Sequence, residues 1–206
     1  TLTDAQKASF QGQAYYLRAS SYFDLCRLFG GVPLKTTTAS SNPARSSIDS
    51  CFSLIASDLK NAIDFLPAKS FQNVNKTNEL FSANKYVAEA MLGRVFLFYT
   101  GLYGKSELPL MAGGSVTKAS VLEYLHDVIN TSGYGLVNDF RNLWLYSFAN
   151  NDYKYAKDNN LSWIGERGNN NESLYMISFS GLGTNNQWDR FQNSVSTSVP
   201  GIIPFG

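Results

Sequence analysis

Apolar positions recur at helical spacing through the first two-thirds of the chain, and the recurrence stops near residue 133. Over residues 4–29, Tyr15, Ala19, Tyr22, Cys26 and Phe29 fall on one stripe, which Leu17, Leu25 and Leu28 widen. The spacing predicts a long first helix, apolar over more than half its circumference and therefore packed on several sides. Gly30-Gly31 supplies the left-handed backbone that ends a helix, and Pro33 prevents its resumption. A Thr/Ser-rich connection, residues 35–44, leads to a second predicted helix with Ser47 as N-cap and Asp49 at the positive helix start. In it Phe52, Ile55, Leu59, Ala62, Ile63 and Leu66 are spaced by threes and fours, and Pro67 closes it. A third helix is predicted from Ser82, carrying Val87, Ala90, Leu92, Val95, Phe96 and Tyr99. A fourth starts near Thr117, carries Val121, Leu122, Leu125, Val128 and Ile129, and ends at Gly133.

After Gly133 the pattern changes. Residues 134–144 read as an extended entry and a short helical turn, with Trp144 following Phe140 and Leu143 toward a core. Residues 147–172 form a long polar loop holding Tyr153, Tyr155 and Trp163, and loops of that length inside a compact protein usually carry function or motion. Residues 174–180 alternate, with Tyr175, Ile177 and Phe179 on one face, so a short strand is predicted. From residue 181 onward Gly, Asn and Ser dominate.

Composition narrows the function. With 44% hydrophobic residues the 206-residue chain has ample material for a core, which argues against wholesale disorder. A net charge of +1 with 16% charged residues argues against nucleic-acid binding through phosphate neutralisation, which needs clustered Lys and Arg. Polarity comes from Asn, Ser, Thr and Tyr, side chains suited to neutral, hydroxyl-rich partners. Cys26 and Cys51 make no disulfide framework; each lies on an apolar helix face as a buried thiol, and the two could meet across an antiparallel hairpin. Neither stands in a lipobox, and no leader peptide and no apolar run of about 18 residues is present.

Catalytic chemistry finds no foothold in the spacing. His126 is the only histidine and stands mid-helix as a solvated side chain, with no nucleophile elbow to meet. There is no CxxC, no HExxH and no phosphate-binding glycine motif, so no metal and no cofactor is expected. The carboxylates Glu107, Glu123, Asp152, Asp158, Glu166, Glu172 and Asp189 are scattered without the pairing that glycoside hydrolysis uses. Binding by aromatics remains. Sugar rings stack their C–H faces on Trp and Tyr while amides, carboxylates and guanidinium groups take the hydroxyls. Trp188 stands among Asn186, Gln187, Asp189 and Arg190 in that arrangement, and Trp163 with Tyr153 and Tyr155 forms a second candidate group. The alternative for Trp188 is a cap on the edge of the core. The tyrosines of the first helix read as packing.

Two resemblances organise these pieces. Leu92-Gly93-Arg94-Val95-Phe96 is similar to the first-helix core of a tetratricopeptide repeat, where the small glycine lets a neighbouring helix backbone approach. The two predicted hairpins are offset by about 70 residues, against 34 for the regular repeat, so the array is degenerate. The stretch from Tyr15 through Gly30-Gly31-Val32-Pro33-Leu34 resembles the SusD/RagB family of outer-membrane nutrient-binding lipoproteins. In the family's order follow Arg45-Ser46-Ser47-Ile48, Ile55-Ala56-Ser57-Asp58-Leu59 with Leu66-Pro67, residues 88–99, Val128-Ile129 with Ser132-Gly133-Tyr134, and Asn171-Glu172-Ser173-Leu174-Tyr175.

The resemblance implies a mainly α fold of degenerate tetratricopeptide-like hairpins with long loops and a little β. It implies one partial SusD-like domain, with residues 1–133 as helical scaffold and 134–206 as the loop-rich segment. Members are more than twice as long, so a lipid-anchoring cysteine is expected upstream and a C-terminal half downstream. The implied function is non-catalytic capture of oligosaccharide or polysaccharide at the cell surface of the outer membrane, for a SusC-like TonB-dependent transporter docked on the repeat helices. No substrate-contacting residue lies inside a matched motif, so the Trp188 and Trp163 groups rest on residue chemistry alone. A tetratricopeptide-like adaptor for a protein or peptide is the second reading.

Overall fold

A computed structural model gives the fold; the residues described are 2–40, 42–77, 82–142, 157–160 and 171–175. The chain divides into two compact units, Thr1–Gly135 and Leu136–Gly206. The first consists of α1 (Asp4–Phe29), α2 (Ile48–Phe65), α3 (Phe71–Thr77), α4 (Lys85–Tyr103), β1 (Leu108–Pro109), β2 (Ser115–Val116) and α5 (Lys118–Thr131). α1 packs on α2, α2 on α4, and α4 on α5, so the helices follow one another as spatial neighbours.

Caps set the helix ends. Thr3 opens α1 with a capping box in which its hydroxyl accepts from the Gln6 N–H and the Gln6 side chain accepts from the Thr3 N–H. Ser47 and Thr117 cap α2 and α5 as the sequence predicts. α4 begins later than predicted. Ser82 and Asn84 are both good caps, and the structure uses Asn84, whose Oδ1 accepts from the Val87 N–H at 3.3 Å. The sequence reading also misses α3, a seven-residue helix with no apolar period to find; its Phe71 N–H donates to the Ser132 carbonyl at 2.8 Å. The antiparallel pair β1–β2, two residues on each side with Leu108 opposite Val116, is likewise too short to leave an alternating pattern.

The α1–α2 connection explains its own sequence. Gly30 adopts φ +73, and Arg45 reaches back to donate to the Phe29 and Gly31 carbonyls at the exposed end of α1. Ser46 N–H donates to the Val32 carbonyl at 3.2 Å, which brings the two backbones so close that a Cβ on Gly31 would stand 2.2 Å from the Ser46 oxygen. Only glycine fits that crossing.

The core lies between α1, α2 and α4. Phe23, Phe52, Phe98, Tyr99 and Tyr103 form an aromatic cluster with centroid separations from 4.9 to 6.5 Å. Arg18 of α1 forks onto Asp58 of α2 with both bonds at 2.7 Å, and Asp58 is 1% exposed. Gly93 is buried beside α5, and what it admits is the Leu125 side chain, which would lie 3.0 Å from a Cβ at that position, and not a helix backbone.

α1 corrects an expectation. Its buried line is Gly12, Tyr16, Ala19, Phe23 and Cys26, whereas Phe10, Leu17, Leu25, Leu28 and Phe29 are exposed, so it packs along one side. Tyr15 stacks on Phe65 at 6.0 Å and the Tyr22 hydroxyl accepts from the Lys35 N–H at 2.7 Å, which makes both tyrosines packing groups. On α5, Val121 and Val128 are buried while Leu122 and Ile129 are exposed.

In the second unit, Phe140–Asn142 form a 3-10 turn, matching the predicted helical turn. Glu172 accepts from the Val137 N–H at 3.0 Å. Of the strand predicted over 174–180, Leu174 and Tyr175 form a bend instead; the remainder lies outside the described residues.

Candidate functional site

All eight side chains nominated by sequence, Trp188, Asn186, Gln187, Asp189, Arg190, Trp163, Tyr153 and Tyr155, lie outside the described residues, as does Trp144. The described surface offers two clefts in the first unit, neither of which the spacing revealed.

The larger, about 490 Å³, opens where the start of α2 meets the end of α4 and the β1–β2 turn. Asp49, Ser50 and Ser53 come from α2, Tyr99 from α4, and Glu107, Met111 and Ser115 from the turn region. Several of its polar groups are already engaged. The Tyr99 hydroxyl donates to Asp49 Oδ1 at 2.7 Å and Lys105 Nζ to Oδ2 at 3.2 Å, while Ser115 donates to Glu107. The hydrogen bond from Tyr99, then that from Lys105, holds the Asp49 carboxyl below its usual range. Burial, reinforced by the Asp49 charge, pushes the Tyr99 phenol up. Asp49 is thus a charged acceptor at neutral pH. With Tyr99 buried, no aromatic face is turned to the cleft, which leaves acceptors for hydroxyl groups without a ring platform.

The smaller cleft, about 230 Å³, lies between the first turns of α1 and the entry to α4. Gln13 bonds Ala83 twice, donating to its carbonyl and accepting from its N–H at 3.1 Å, so it ties α1 to the α4 cap. Beside it are Gln6, Ser9, the open ring of Phe10 (63% exposed) and Asn84 (2% exposed), whose Nδ2 has no partner. Phe10 lies off the buried line of α1, which leaves its ring open beside this cleft. The volume is below the ~300–1,000 Å³ of drug-sized sites.

Ionisable groups elsewhere serve the scaffold. Lys85 bridges Glu89 at 3.4 Å and Asp127 at 2.7 Å between α4 and α5. Burial raises the Glu89 carboxyl to about 7 against the opposing pull of Lys85, whereas the hydrogen bond from Lys85 lowers Asp127. His126 is exposed. Among the described residues no group of three or more His, Cys, Asp or Glu could hold a metal, and no helix is long and apolar enough to cross a membrane.

The fold and its clefts thus define a mainly helical scaffold with shallow polar recesses. The model of the SusD-like family described as starch-binding, associating with the outer membrane, matches residues 2–97. A SusD-like protein of Bacteroides ovatus is 24% identical over 95% of this chain and 34% of its own length. A solved SusD superfamily protein of Bacteroides fragilis is 28% identical with a TM-score of 0.52, over 73% of this chain and 30% of that one. A structure solved with xylogluco-oligosaccharide shares the fold with a TM-score of 0.59 and 23% identity, over 88% of this chain and 31% of that one. Over its first half the chain is thus similar to SusD-like proteins, and it spans about a third of the length of the curated relative it matches.

Proposed function

We propose that this chain is part of a cell-surface glycan-binding protein that captures oligosaccharide reversibly, without cleaving it, and passes it to a TonB-dependent transporter of the outer membrane. The observation that carries this reading is the starch-binding, outer-membrane family match along the α1–α2–α4 scaffold. The fold shared with a structure holding xylogluco-oligosaccharide supports a glycan as the ligand class. In this reading a lipid anchor upstream holds the protein at the membrane, and the helices, taken as tetratricopeptide-like hairpins, form the face toward the SusC-like transporter. Recognition belongs to the loop aromatics, with Trp188 stacking on a sugar ring and Asn186, Gln187, Asp189 and Arg190 taking its hydroxyls. Trp163, Tyr153 and Tyr155 form the second contact group.

The test is retention of the full-length protein by a panel of polysaccharides, with Trp188→Ala alongside. Binding to at least one glycan is expected, weakened about tenfold or more by Trp188→Ala, as for a buried aromatic anchor, with the melting temperature nearly unchanged. Retention by none of the panel overturns the glycan reading. Normal binding by the variant, or its unfolding, removes Trp188 from the site.

The second reading, an adaptor for a protein or peptide, draws on one observation, the exposed Leu17, Leu28 and Phe29 along α1.

A further inference from the structure

Local hydrogen bonds brace the cleft between the first turns of α1 and the entry to α4, so its walls stand without a ligand. Gln6 closes the Thr3 capping box, Gln13 bonds Ala83 twice, and the Lys85 N–H donates to the Pro67 carbonyl at 3.1 Å. Between these walls lie two kinds of unsatisfied surface. One is apolar: the Phe10 ring is largely exposed, and Pro67, Val74 and Ala83 line the recess beside it. The other is a single amide. Asn84 lines the same recess and is buried, with Oδ1 committed to the Val87 N–H at 3.3 Å as the cap of α4. That bond fixes which end of the amide is oxygen, and it leaves Nδ2 buried with no acceptor. Buried donors in that state are rare in folded proteins and call for a partner.

We propose that this cleft is a second sugar-binding site, taking one neutral pyranose ring that stacks on Phe10 and accepts a hydrogen bond from Asn84 Nδ2. Water would satisfy the amide and leave the Phe10 ring and its apolar neighbours wetted. A sugar ring answers both surfaces, with a hydroxyl on Nδ2 and its C–H face on Phe10, while Ser9 and Ser82 on the lining exchange bonds with the remaining hydroxyls. At about 230 Å³ the recess suits a single ring and not an extended oligosaccharide. The choice of a sugar rests on the glycan reading above, but the residues are distinct from the Trp188 and Trp163 groups.

The experiment uses the full-length protein grown with para-fluorophenylalanine, in which Phe10→Leu identifies the Phe10 fluorine resonance by its loss. Methyl glucoside, methyl galactoside and methyl xyloside are titrated in separately. A saturable shift of the Phe10 resonance with at least one of them is expected. Asn84→Ser keeps a helix-capping oxygen and removes the amide donor, so it should weaken that titration about fivefold. A Phe10 resonance unmoved by all three sugars overturns the proposal, as does an Asn84→Ser titration that matches the parent's. If Asn84→Ser does not fold, the parent's titration decides. Polysaccharide retention is read separately. Retention beside a silent Phe10 removes this cleft and leaves the glycan reading standing, whereas a Phe10 shift in a protein that no polysaccharide retains does the reverse.

Discussion

Helices α1 and α2 pack against each other, yet they are covered to very different degrees. α2 buries nine of its 18 residues and is enclosed by α1, α4 and the β1–β2 turn, whereas α1 buries five of 26. Both carry enough apolar residues to be wrapped. What separates them is the number of neighbours, which a single helix's composition does not encode. The width of an apolar stripe states how much surface a helix can bury, and the surrounding elements decide how much it does bury.

The strongest way to break the α1–α2 pairing is to remove the charge that joins them. Arg18→Leu leaves the Asp58 carboxylate buried and unmatched, and a loss of about 3–5 kcal/mol is expected in urea unfolding. Replacing both residues with Leu should recover most of that loss. If the double variant is as unstable as the single one, packing around Arg18 matters more than the ion pair.

Leu59→Ala tests α2 as the central element. Leu59 is 0% exposed, and truncation there is expected to cost about 2–5 kcal/mol by the same measurement. A cost below about 1 kcal/mol would mean that α2 is less tightly enclosed than its burial indicates.

Much of this scaffold was legible. The extent of α1, the stripes of α2 and α4, the Ser47 and Thr117 caps and the glycine-proline exit of α1 are short-range signals, and they fall where sequence places them, whereas the buried line of α1 is not the stripe the spacing predicts. Two kinds of feature were not legible. α3 and the β1–β2 pair are shorter than the window in which a period can be seen. The Gln13 bridge to Ala83 and the small cleft beside Phe10 join residues about 70 positions apart, so no local pattern announces them, whereas the Asn84 cap is a local contact that Ser82 offered equally well. The nominated ligand side chains were chosen by chemistry and lie outside the described residues, so Trp188 stands as a proposal.

The α4–α5 contact gives a pH test. Glu89 is fully buried with one carboxylate oxygen unpartnered, and only Lys85 offsets its charge while Asp127 opposes it. Its folded pKa of about 7 lies above the ordinary 4.5, so the native state holds this proton more tightly than the unfolded chain does. Stability from this group is therefore full below about 4.5, declines as the pH rises toward 7 and is flat above, a change on the order of 3 kcal/mol. Urea midpoints at pH 5 and pH 7.5 should show that decline in the parent protein and lose it in Glu89→Gln. A Glu89→Gln variant with an unchanged pH slope would assign the titration to another group.

The smallest effect returns to the outer face of α1. Leu28 is 76% exposed, and Leu28→Ser removes little buried area, so the change in unfolding free energy of this chain should stay within about 0.5 kcal/mol. The same substitution in a full-length protein is the sharper measurement. A loss there of more than about 1 kcal/mol, absent in this chain, would show that other parts of the polypeptide cover α1, making its wide stripe an inward face of the complete fold. An equally small change in both settings would leave α1 half-covered by design, with α2 alone carrying the centre of the helical core.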